Sequence, residues 1–399
     1  MKKVSKHPIL YLIFISLSTL NCKEEIDIET ISGFEKLLVI QANITDEFKF
    51  QEINLSSTYG LNEEHATGIS NANVEIIDDN QKTINFYESS VGKYKSSIEF
   101  ALQPNVIYTL HITTSDGKSY KSTPTTLPNS TQIDNINISR ETNNLGIKGV
   151  SIAVNSFNSS GGSRYYRYEY EETYKIIAPY WSQFDLEAEI GYPYRVFDSI
   201  PKSKEVKICY KTNYSNHILQ KETNGLAEDK VSNFTVRFIP NNNPIISHRY
   251  SILVKQYVQS YEAFSYFQIL DKITGSDNIF SQSQPGFISG NVFKVDDTSE
   301  KVIGFFETSS VSIKRAYFNY ADLFPGETRP PYFIDCVAIT PTYIEKAPSD
   351  LHDIVVSGNH VFYLDRPGPT PVPPYILVPK ACGYCTELGS NIKPSFWED

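Results

Sequence analysis

The hydrophobic and polar positions of this chain alternate with the period of strands for most of its length. Leu37-Leu38-Val39-Ile40-Gln41-Ala42-Asn43-Ile44 is an apolar run of strand length, and it predicts a buried strand. Short runs follow at regular spacing over 52–57, 72–77, 82–87, 93–99 and 106–113, each bounded by Gly, Asn, Asp or Pro. In the last of these, Val106, Tyr108, Leu110 and Ile112 share one face while Ile107, Thr109, His111 and Thr113 share the other. Asp116-Gly117 predicts a type I′ hairpin turn, and 118–123 returns as its second strand. Pro124 and Pro128 close the segment, because proline cannot donate to a continuing ladder. So many short strands without a helical period predict a small β-sandwich over 37–128.

A larger β-rich domain is expected over 129–399. Its strand candidates cover 132–139, 147–155, 204–210, 234–239, 249–257, 287–295, 301–307 and 311–320. Between them, 164–174 alternates so that Tyr166, Tyr168, Tyr170 and Glu172 share a face. The period changes once. Ala263, Tyr266, Phe267, Leu270 and Ile273 form the stripe of an amphipathic helix, with Ser260 as N-cap and Gly275 as the stop. The segment 367–379 reads as a proline-rich loop. The fold class expected is therefore mainly β, a sandwich followed by a β-rich domain with one amphipathic helix. Ala72-Asn73-Val74-Glu75-Ile76 followed by Gly92-Lys93-Tyr94 looks like carboxypeptidase-regulatory or transthyretin-like modules, which extends that expectation to an Ig-like or transthyretin-like sandwich.

The first 21 residues break the strand pattern. A basic start with Lys2, Lys3 and Lys6 precedes an apolar stretch over 9–20, the signature of a secretory signal peptide. That stretch is shorter than the ~20 residues needed to span a bilayer. Cys22 stands at its exit and resembles the lipobox cysteine of bacterial lipoproteins, which becomes the acylated first residue. Thr19-Leu20-Asn21 departs from the usual aliphatic and small residues of that box. Lys23, Glu24 and Glu25 open an acidic linker over 22–36 and are similar to the export signal of Bacteroidota surface lipoproteins. These features predict an outer-membrane protein, lipid-anchored through Cys22 and facing the cell surface.

Composition supports a folded, aromatic-rich chain of two or three domains at ~100–200 residues each. Hydrophobic residues make up 40% of the 399, and Tyr (27) and Phe (23) far outnumber Met (1), which favours strands. Loss of the three leader lysines takes the formal net charge from −10 to about −13, which argues against a nucleic-acid partner. With Cys22 acylated, Cys209, Cys336, Cys382 and Cys385 remain, an even set for two disulfides in an oxidising compartment, with three possible pairings. A zinc ribbon would need a second close pair beside Cys382-Gly383-Tyr384-Cys385, and Cys209 and Cys336 lie far apart.

Candidate chemistry is sparse. His65, His111, His217, His248, His352 and His360 show no metal-ligand spacing, and no nucleophile elbow, P-loop or dinucleotide fingerprint occurs. No enzyme, metal or cofactor is expected. The aromatic run with Tyr166, Tyr168, Tyr170, Tyr180 and Trp181 is the candidate contact surface, although alternate tyrosines are equally good cross-strand packers.

The chain resembles the Bacteroidota lipoprotein family called domain of unknown function 4249. The likeness rests on Cys22 with its acidic follow-on, the apolar strand 37–44, Arg249-Tyr250-Ser251-Ile252-Leu253-Val254-Lys255-Gln256 and Gln284-Pro285-Gly286-Phe287-Ile288-Ser289-Gly290-Asn291. It also rests on Val302-Ile303-Gly304-Phe305-Phe306 and the cysteine-rich close from Cys382 to Trp397. Such proteins are typically encoded beside TonB-dependent outer-membrane receptors. The resemblance therefore implies a non-enzymatic accessory or ligand-binding partner of such a transporter, the ligand being unknown. The other expectation is an envelope adhesion or scaffold lipoprotein, and a hydrolase ranks behind both.

Overall fold

The computed structural model describes residues 36–59, 63, 65–188, 196–274, 288–344, 347–366 and 375–399. The leader, Cys22, Lys23, Glu24, Glu25 and the helix stop at Gly275 lie outside the described residues. The chain first lays down β1 (Leu38–Thr45), β2 (Glu52–Ser57), β3 (Asn73–Asp78), β4 (Thr83–Ser90), β5 (Lys93–Ser96), β6 (Ile107–Thr113), β7 (Ser119–Ser122) and β8 (Thr125–Thr126). Their inward positions, among them Ile40, Ile53, Val74, Tyr94, Leu110 and Ile112, meet in one core. The β6–β7 connection differs from the expected two-residue turn. Gly117 alone takes positive φ, and its N–H donates to Thr114 O while Thr114 N–H donates to Lys118 O. That is the three-residue loop in which a type I turn ends on a left-handed glycine.

The second unit contains β9 (Ile133–Thr142), β10 (Lys148–Asn158), β11 (Tyr165–Ile177), β12 (Phe184–Ala188), β13 (Val196–Pro201), β14 (Ile208–Tyr214), β15 (Leu219–Glu222), β16 (Asp229–Pro240) and β17 (Arg249–Val258). A three-stranded sheet in the order β16-β10-β9 packs face to face on the sheet of β14, β11 and β17. Helix α1 (Tyr261–Thr274) follows, with Ser260 Oγ accepting from Ala263 N–H at 3.1 Å as the capping pattern predicts. Then come β18 (Val292–Lys294) and β19 (Val302–Asn319), α2 (Tyr320–Leu323), α3 (Asp350–Ser357), β20 (His360–Asp365), β21 (Tyr375–Pro379) and α4 (Lys380–Gly383).

β19 joins the two sandwiches. Its first half runs parallel to β1, from Leu38↔Val302 to Thr45↔Ser309, and its second half runs antiparallel to β17, from Val258↔Ser310 to Arg249↔Asn319. The alternation predicts two strands here, because Thr308-Ser309-Ser310 interrupts the apolar run. The structure shows one strand of 18 residues. The polar interruption is buried yet satisfied: Thr308 Oγ1 donates to Thr126 O at 2.9 Å, and Ser309 Oγ donates to Asn43 Oδ1 at 2.7 Å. Ser312 Oγ accepts from Ile133 N–H at 2.9 Å. These bonds seat the crossing segment 125–133 against β19. The N-terminal core thus takes Val292, Val302 and Phe306 from far along the chain, in addition to residues 37–128.

A third, smaller core around Leu351, Phe362 and Leu377 gathers the hairpins β12–β13 and β20–β21 beside α3. The expectation of a single helix is corrected by α3, whose eight residues are too few for a clear period. Ser349 Oγ caps it by accepting from His352 N–H, and Gly358 ends it at φ 68°. The expected loop over 367–379 is corrected in its last part, where β21 pairs with β20. The four cysteines form Cys209–Cys385 and Cys336–Cys382, tying the C-terminal segment to β14 and to the loop before α3. Trp397 is buried against Tyr210 and Tyr317.

Candidate functional site

The tyrosine strand does not present its tyrosines. Tyr166, Tyr168 and Tyr170 point into the core between the two sheets of the second sandwich. Tyr166 OH donates to the buried Asp229 at 2.7 Å, and Tyr168 OH donates to Gln256 at 3.1 Å. Burial pushes both phenols up, Tyr166 with a further push from Asp229. Tyr180 and Trp181 are half-buried, Tyr180 edge-on to Tyr363, and Trp181 beneath Lys207 and packed against that same core. The five aromatics therefore make no common surface. Interlocking of two sheets explains this, since period-2 alternation fixes which side chains share a face but not which face is covered.

The opposite face of β11 carries the site. Arg167, Glu169 and Glu171 alternate there, and α1 crosses above them. Arg167 is 7% exposed, held between the Tyr257 ring at 4.5 Å and the Phe267 ring of α1 at 5.0 Å. Its Nη2 donates to Glu307 Oε2 at 3.1 Å, and its Nη1 donates to Glu169. Gln259 Nε2 donates to the other Glu307 oxygen at 2.7 Å, and Tyr257 OH donates to Glu169 Oε2 at 3.0 Å. Gln220 Nε2 extends the network from β15 to Gln259 and to the helix carbonyl of Phe264, both at 3.0 Å. Burial pushes the Glu169 carboxyl up, yet the Arg167 guanidinium outweighs it and leaves the group below its ordinary value. Burial likewise opposes the Arg167 charge, and the two glutamates more than compensate.

Arg167 and Glu169 of this network lie at the floor of two hollows beside α1. One of about 340 Å³ opens toward Tyr214 and His217 in the β14–β15 connection. The other, about 500 Å³, opens toward β1 and β2 of the N-terminal sandwich and adds Gln41, Asn43, Glu52, Asn54, Tyr266 and Phe305. Arg167, Glu169, Phe267 and Leu270 line both, so the hollows meet at the same side chains. Among the described residues no group of three His, Cys, Asp or Glu is placed to hold a metal ion.

A family profile described as Domain of unknown function (DUF4249) matches residues 23–315. The chain belongs to the DUF4249 family. The matched range holds the N-terminal sandwich, the second sandwich as far as Arg315 in β19, α1 and every residue of the groove. No curated protein matches the sequence. Among solved structures, a DUF4785 family protein from Legionella pneumophila subsp. pneumophila is similar at 8% identity over 54% of this chain and 50% of its own, with a TM-score of 0.15.

Sequence reasoning passed over Arg167, Glu169 and Glu307, since charged residues on a strand's polar face read as solvated. A signal was present. Glu307 directly follows the apolar run Val302–Phe306, and Arg167 is flanked by tyrosines, so both stand in segments otherwise suited to burial.

Proposed function

We propose that this DUF4249 protein is a non-enzymatic lipoprotein of the outer-membrane surface that holds a ligand in the groove at α1, as an accessory to a TonB-dependent transporter. The observation that carries the ligand-holding role is the hollow itself, walled by Tyr266 and Phe267 and lined by Gln41, Asn43, Glu52 and Asn54. Glu169 and Glu307 are engaged by Arg167, and Glu171 is paired to Lys255 at 2.7 Å. Glu169 is held below its ordinary value, whereas a general acid needs a carboxyl raised toward neutrality. The pairing of three of the groove's acids favours a recognition surface over a proton donor. The signal-like leader, Cys22 and the acidic Lys23-Glu24-Glu25 support the anchor, and the family resemblance supports the transporter partner.

Two measurements test the reading. Cys22→Ser should move the protein from the membrane to the soluble fraction, and retention in the membrane would refute lipidation. Purification from detergent-solubilised outer membrane should bring down a receptor barrel in near-equal amount. A pull-down without a barrel removes the transporter role and leaves the envelope scaffold.

A further inference from the structure

The larger hollow continues as a polar, aromatic-studded stripe across the outer face of the N-terminal sheet. Cross-strand register sets its two rows. Phe305, Gln41, Asn54 and Lys93 stand opposite one another on β19, β1, β2 and β5. In the next row Glu307 faces Asn43, and Glu52 faces Lys95, which faces Tyr87 on β4. Tyr87 is 51% exposed, so an aromatic face stands open at the far end while Tyr266 and Phe267 of α1 wall the near end.

Three properties of this stripe identify its ligand. First, Gln41, Glu52 and Asn54 have no side-chain hydrogen-bond partner among the described residues, and together they offer donors and acceptors in one plane. Second, its charges balance: Glu52, Glu169 and Glu307 stand against Arg167, Lys93 and Lys95. A strongly charged ligand would meet no complementary field. Third, the hollow's floor is the face of the paired strands β2, β1, β19 and β11, so a ligand lying there meets side chains rather than a strand's backbone edge. Side chains that both donate and accept beside flat apolar rings match hydroxyl groups on a ring with one C–H face. From these we infer that the stripe binds a neutral oligosaccharide, its end seated in the hollow beneath α1 and its length running toward Tyr87. The inference rests on the ligand-holding reading of the groove.

Calorimetric titration of the purified soluble Cys22→Ser chain with neutral malto-, cello-, laminari-, xylo- and manno-hexasaccharides, their disaccharides and a uronic-acid hexasaccharide tests it. At least one should bind, with an affinity unchanged between low and high salt. Asn54→Ala and Gln41→Ala, both on the surface of a paired sheet, should each weaken that binding about tenfold, the equivalent of about 1.4 kcal/mol. Tyr87→Ala should weaken the hexasaccharide but not the disaccharide of the same series. Absence of binding by the whole panel, preference for uronic-acid chains with strong salt dependence, or binding indifferent to Asn54→Ala overturns the inference. Preference for the uronic-acid chain overturns this inference while the ligand-holding reading of the groove stands, so the two failures are distinguishable.

Discussion

Arg167 is the residue on which the groove depends. Its guanidinium sits between two rings and serves Glu307, whose side chain is 1% exposed, as well as Glu169, whose side chain is 43% exposed. Removing one partner of a buried pair leaves the other charged and unsolvated, whereas the exposed partner rehydrates. Arg167→Ala is therefore expected to cost about 3–5 kcal/mol in urea unfolding, and Glu169→Gln less than about 1 kcal/mol. A loss below about 1 kcal/mol in Arg167→Ala as well would show that Gln259 suffices for Glu307. Gly304 is constrained by backbone instead of charge. It takes φ +135°, and a Cβ there would lie 2.1 Å from Ile40 O. Gly304→Ala should cost on the order of 3 kcal/mol and disturb the β1–β19 pairing, read as lowered thermal stability and faster amide exchange at residues 38–44.

At the scale of elements, β19 joins the β14-β11-β17 sheet of the second sandwich to the N-terminal strands as one continuous sheet, with β16-β10-β9 remaining separate. Ile44 and Phe306 belong to one core and Ile252 and Phe318 to the other, yet both strand pairs share the same 18-residue strand. Scanning calorimetry should therefore show a single unfolding transition for both sandwiches, and two resolved transitions would mean that the strand yields at Ser309-Ser310. Most strands were legible because alternation survives wherever one face is buried: Val74 and Ile76, or Tyr108, Leu110 and Ile112, needed no tertiary information. The capping serine of α1 was legible for the same local reason. The bridging of β19 was not. Thr308, Ser309 and Ser310 are buried only because the segment 125–133 and Asn43 supply their hydrogen-bond partners.

For the whole molecule, His248 marks a pH window. Burial first, then Arg329 and Lys175, lower its pKa from 6.5 to about 4. As pH falls, the unfolded chain takes up this proton before the folded one does, so stability declines from about 6.5 down to about 4 and this group adds no further loss below that. His248→Gln should flatten the decline over that window in unfolding measured at a series of pH values. A decline of the same slope in the variant would assign it to other groups. The two disulfides act at this scale as well, since Cys209–Cys385 spans 176 residues and holds the chain end beside β14, where Trp397 packs.

By itself the sequence determined the mainly β character, the strand positions in the N-terminal sandwich, the α1 stripe and its cap, and the even set of cysteines. Each follows from local period, turn chemistry or counting. Only the tertiary structure decided that Cys209 pairs with Cys385 and Cys336 with Cys382, because three pairings were equally consistent with the spacing. It also decided which face of the tyrosine strand is hidden. Period-2 alternation separated Tyr166, Tyr168 and Tyr170 from Arg167, Glu169 and Glu171, but packing against β10 and β16 buried the first set. That left the second set, under α1, to form the groove.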